Sequence, residues 1–130
     1  MKRFVLLSSI ALLSGMMFCS CGVKVDHDSP EGVVKSYVEA ENSGDADAMV
    51  ECLDLSDYEG KDLEKIRTKA KEVAQWSKGQ YKSFSVRKES GGWVIYDYVS
   101  SDGANGGGSL QVEKVDGKWY VTVHSTGLMY

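Results

Sequence analysis

At Gly79 the periodicity of this 130-residue chain changes. Before it, apolar residues recur three and four apart, the spacing of one helix face; after it, they alternate in short runs rich in β-branched and aromatic residues. A helical pattern cannot sit as a strand, nor the reverse. The chain must therefore place its helices first and its sheet second. That order predicts an α+β fold, with three N-terminal helices packed on a curved antiparallel sheet of about four strands.

The helical half carries its own boundaries. In SPEGVVKSYVEAENSGD, Ser29 is positioned as N-cap, Pro30 as the first helical residue and Glu31 in the first turn. Val34, Tyr37, Val38 and Glu41 share a 3–4 spacing, and Asn42, Ser43 and Gly44 close the helix. Asp45 caps a second helix whose apolar face is Ala46, Met49, Val50 and Leu53. Ser56 and Glu59 have capping-box spacing ahead of a third, with Leu63, Ile66, Ala70, Val73 and Ala74 as its stripe.

In the second half, YKSFSVRK, WVIYDYVS, SLQVEKV and KWYVTVH predict four strands. Residues 89–92 join the first pair, and Asp116-Gly117 is a strong hairpin signal. In the last run Trp119, Val121 and Val123 alternate with Tyr120, Thr122 and His124, which makes Trp119 an expected core anchor and His124 solvent-facing. WVIYDYV is apolar on both faces, as a central strand is. The glycine-rich SDGANGGGS lacks the Gly-Lys-Ser/Thr ending of a phosphate loop and reads as a hairpin tip.

The N-terminus sets the expected location. Lys2 and Arg3 precede an apolar run over residues 4–18, a helix of roughly 22 Å at 1.5 Å per residue. This is shorter than the ~20 residues a bilayer core requires and suits a signal peptide. MMFCSCG then resembles a bacterial lipobox read onto Cys21, with Phe18 where the motif usually has leucine, and Cys19 and Ser20 as its small residues. Cys19 itself is a poor reading because Phe18 would stand directly before it. The competing readings are an uncleaved anchor and a leader cut elsewhere. On the lipobox reading, residues 1–20 are a lipoprotein signal peptide, 21–29 a lipid-anchored tether and 30–130 a single α+β domain. The partner is then the membrane, through lipid on Cys21, in a bacterial cell envelope and specifically the outer membrane.

Processing would leave 13 basic and 19 acidic side chains, a net charge of −6. That balance argues against nucleic acid and anionic headgroups as partners. Cys52 would be the only free thiol, and its neighbours Met49 and Leu53 predict a buried one. His27 between Asp26 and Asp28 is a thin basis for a metal. Placing Gly60 at the glycine of an EF-hand puts Leu55 and Ile66 at ligand positions, so the calcium motif fails. No metal or cofactor is expected.

SPEGVVKSYVEAENSGDADAMVECL followed by a closing VDGKWYV resembles a family of small bacterial lipoproteins of unknown function. That family lies in the nuclear transport factor two-like superfamily of cone-shaped, cystatin-like α+β domains. The resemblance implies the cone but assigns no activity, because the superfamily holds enzymes, ligand carriers and assembly subunits alike. Three readings follow. A non-catalytic module would bind a small apolar ligand, with Tyr37, Tyr96 and Tyr98 as candidate contacts. A structural subunit would meet an envelope protein through its sheet. An isomerase-like or dehydratase-like enzyme would need an acid or base inside the cone, and Asp97, sharing a strand face with Trp93, Ile95 and Val99, is the one candidate.

Overall fold

The computed structural model describes residues 22–88 and 91–129. The leader, Cys19, Cys21, Glu89, Ser90 and Tyr130 lie outside the described residues. The order is α1 (Pro30–Ser43), α2 (Ala46–Glu51), β1 (Leu53–Asp54), α3 (Lys61–Ser77), β2 (Tyr81–Lys88), β3 (Trp93–Ser100), β4 (Asn105–Val115), β5 (Lys118–Thr122) and α4 (Val123–Thr126). No described helix is long and apolar enough to cross a membrane.

The caps of α1 and α2 fall where the sequence placed them. Ser29 Oγ accepts from Gly32 N–H at 2.9 Å, and Asp45 accepts from Ala48 N–H at 3.1 Å. Gly44 ends α1 at φ 75°, a left-handed conformation that costs glycine nothing. The expected capping box of α3 is not used. Ser56 instead donates its hydroxyl to Asp54 at 2.6 Å, and α3 starts after Gly60 without a side-chain cap.

The sheet order is β1-β5-β4-β3-β2. It has five strands and is mixed, which corrects the expected four antiparallel ones. The addition is β1, two residues running parallel to β5 through Val121 N–H to the Cys52 carbonyl at 2.8 Å. A fourth helix is the second correction. Thr122 ends β5 by accepting from Ser125 N–H, so His124 sits exposed on α4 rather than at the end of a strand. Asp116 and Gly117, at φ 51° and 83°, form the turn between β4 and β5.

Residues 22–29, expected as a tether, lie against the domain. Val23 N–H donates to Asp45 at 2.8 Å, and Asp26 N–H to Ser36 Oγ at 2.9 Å. Trp119 N–H donates to the His27 carbonyl at 2.9 Å, and the His27 ring packs on Tyr120 with centroids 4.6 Å apart. Val23 and Val25 pack on the core. This segment and β1 together cover the free edge of β5, where open backbone would otherwise invite pairing.

Helices fill the inner face of the sheet. Val33, Val34, Val38, Met49, Cys52 and Ile66 from the helical side meet Val94, Leu110 and Val121, each 5% exposed or less. Trp119 shares the face of Val112 and Val121 but is only half-buried, with Lys114 Nζ 5.8 Å from its ring. It packs against the core without anchoring its centre.

Candidate functional site

The helix spacing that buries Val34 and Val38 turns two polar residues toward the sheet, Tyr37 and, one turn later, Glu41. Tyr37 is 3% exposed, and its hydroxyl meets the Thr126 side chain. Glu41 stands half-buried in the last turn of α1. Beside it, Asn42 binds Tyr81 as a strand neighbour would. Tyr81 N–H donates to Asn42 Oδ1 at 2.9 Å, and Asn42 Nδ2 donates to the Tyr81 carbonyl at 3.0 Å. These two bonds fix the end of α1 to the start of β2.

From the sheet, β3 presents Val94, Tyr96 and Tyr98 on its inner face. Opposite them across β4 stand Leu110, Gly108 and Gly106. A side chain at either glycine would collide with a tyrosine. A Cβ at Gly108 would be 2.6 Å from the Tyr96 hydroxyl oxygen, and one at Gly106 would be 2.5 Å from that of Tyr98. The expected hairpin tip is therefore corrected. Gly106, Gly107 and Gly108 belong to strand β4, and two of them make room for aromatic rings.

Tyr81 joins through an irregularity. It lies three residues from Phe84, and a regular strand would turn it to the opposite face. A register shift between Tyr81 and Ser83 restores it to the face of Tyr98. Their ring centroids are 4.5 Å apart, and those of Tyr96 and Tyr98 are 6.3 Å apart.

The outcome is a carboxyl among tyrosines, with Tyr81, Tyr96, Tyr98 and Glu41 each partly open to solvent. Loss of solvent around Glu41 pushes its pKa up to about 7. Tyr96 is raised to about 12 by burial, then by the neighbouring Glu41 and Tyr98. Tyr37 and Tyr81 are raised for the same first reason, with Glu41 the next contributor in each. Near neutral pH the cluster offers hydroxyl donors and a carboxyl that exchanges its proton readily.

The structure brings Tyr37, Tyr96 and Tyr98 together and leaves Asp97 outside. Asp97 is on the outer face of β3, where its carboxylate meets Arg87 Nε at 3.3 Å with both side chains more than half exposed. It borders a shallow depression of about 320 Å³ with Ser83, Ser85 and Asn105. Asp97 therefore does not point into the cone, as the enzyme reading would require; the carboxyl on that side is Glu41. His27 Nδ1 lies 2.8 Å from the Trp119 carbonyl oxygen and so has a structural partner.

No family model matches the chain, and no curated protein matches it. Among solved structures, it is similar to a Campylobacter jejuni protein named "NTF2-like transpeptidase". The TM-score is 0.62 at 18% identity, over 73% of this chain and 98% of that one. The fold is NTF2-like. At that identity the likeness covers architecture and carries no activity across. In this NTF2-like domain the Glu41–tyrosine cluster lies between α1 and the inner face of the sheet.

Proposed function

We propose that this chain is a lipid-anchored protein of the bacterial cell envelope, held by lipid on Cys21 in the outer membrane, whose domain binds a small ligand without chemical conversion. The observation that carries the binding reading is the partly open group of Glu41, Tyr81, Tyr96 and Tyr98. Aromatic faces supply apolar contact, and the hydroxyls and the carboxyl supply orientation, the usual make-up of a small-molecule site. An ordinary lone carboxylate there would favour a cation. With its pKa raised to about 7, the Glu41 carboxyl is protonated in part near neutral pH, so it can donate a hydrogen bond to a ligand as well as accept one.

A thiol-dependent transpeptidase needs an activated nucleophile, and Cys52 does not supply one: it is 0% exposed, and burial pushes its pKa up. A second reading, an interaction subunit, is favoured by the outer face of β3, where Trp93 is 40% exposed.

Native mass spectrometry of the protein extracted from bacterial envelopes separates the two. The binding reading expects a co-purifying small molecule that is lost in Tyr96→Ala and retained in Trp93→Ala. A protein that carries nothing, but captures an envelope protein through Trp93, would contradict it.

A further inference from the structure

One end of the domain is assembled from three separate stretches. The Gly79 N–H donates to the Asn42 carbonyl at 2.8 Å, which ties the end of α3 to the end of α1. The Ser101 N–H donates to the Gln80 carbonyl at 2.9 Å, and Ser101 Oγ bonds the Gly79 carbonyl, adding the tip of the β3–β4 hairpin. The side chain of Lys78 lies over Gly44, whose Cβ would be 2.9 Å from its Cδ. This is also where the described chain begins, because Val23 N–H is held by Asp45.

Only Gly22 separates Val23 from Cys21. At ~3.8 Å per Cα step, the chain can reach at most about 8 Å from Val23 to a lipid-bearing Cys21. The headgroup region on each side of a bilayer is about as thick, ~5–8 Å. A lipid on Cys21 therefore leaves no slack for the domain to stand off. Trp76, in the last turn of α3 at this same end, is 82% exposed. An indole left in water loses favourable burial, whereas tryptophan settles well at the headgroup level. Beside it Lys69, Glu72 and Val73 line a small depression, and Gln80 Nε2 donates to its carbonyl at 3.1 Å, a mixed surface suited to headgroups and unsuited to hydrocarbon.

We infer that the end formed by residues 44–45, 76–80 and 101–103 rests on the bilayer that holds the Cys21 lipid, with Trp76 in the headgroup layer. The inference rests on the lipid-anchor reading. It also turns toward the membrane the end at which Asn42 holds Tyr81, next to the tyrosine cluster.

The test uses the full-length protein purified from bacterial membranes and reconstituted in phosphatidylcholine–phosphatidylethanolamine vesicles that contain brominated phosphatidylcholine. Flotation first shows whether the protein is on the vesicles. Of three tryptophans, one should be quenched, a loss of about a third of the emission if the three emit equally. Trp76→Phe should abolish the quenching, and Trp93→Phe should leave it. Vesicle-bound protein quenched equally with and without Trp76, or not quenched at all, overturns the orientation while leaving the anchor standing. Protein that fails to float removes the anchor and the inference together.

Discussion

Tyr96 of β3 lies directly opposite Gly108 of β4, so close that a single methyl on the glycine would meet its hydroxyl oxygen at 2.6 Å. The same relation joins Tyr98 to Gly106. Gly108→Ala is therefore expected to push the Tyr96 ring toward solvent without unfolding the domain, because the obstacle is the far end of a side chain. A cost of ~1–3 kcal/mol is expected, the usual range for overpacking. The check is a lower urea midpoint with a weaker near-ultraviolet tyrosine signal; unchanged values for both would show the rings to lie elsewhere.

Glu41 makes stability depend on pH in the less common direction for a carboxyl. Its pKa is about 7 in the fold against 4.5 as a free side chain, so the folded state binds the proton more tightly. The burden of ionising it is absent below about 4.5, grows up to about 7, and is complete above that. Glu41→Gln should raise the unfolding free energy at pH 8 by on the order of 1–3 kcal/mol, read as a higher urea midpoint, and change little at pH 4. Equal effects at both pH values would show that Glu41 is solvated.

Cys52 should be inert. It is fully buried beside Met49 and Leu53, and its carbonyl receives the Val121 N–H. A maleimide reagent added to the folded soluble domain should react with it only as fast as the domain unfolds. Prompt reaction in native buffer would contradict the burial of Cys52 in the core.

Trp119 should matter less than its place after the hairpin turn suggests. A fully buried aromatic costs ~3–5 kcal/mol when cut to alanine, and this ring is half-buried under Lys114. Trp119→Ala should cost about 1–3 kcal/mol and leave a cooperative urea transition. Its backbone bonds to His27 survive the change. Complete loss of the folded state would mean that the ring is a core anchor after all.

What the sequence revealed were features set within a few residues of one another. Ser29 with Pro30, Asp45, and Asp116 with Gly117 each carry a local conformational preference, and each appears where that preference places it. What it concealed depends on distant partners. β1 is two residues long and exists because β5 lies beside it. Tyr81 faces inward only because of a register shift, which alternation counting cannot see. The face of Asp97 is not legible because WVIYDYV is apolar on both sides, so its pattern fixes the strand without fixing its inside. The glycines of β4 look like a loop until the tyrosines opposite them are known. Glu41 was visible as the fourth member of the α1 stripe, and a carboxyl on an apolar face was the available signal.

The proposed location and the proposed orientation at the membrane both rest on a lipid at Cys21, so that proposal bears the most direct test. Cells grown with an alkyne fatty acid should label the wild-type chain and Cys19→Ala. Cys21→Ala should carry no label, because Ser20 offers a small residue before Cys21 whereas Phe18 stands before Cys19. Label that persists in Cys21→Ala would contradict the account.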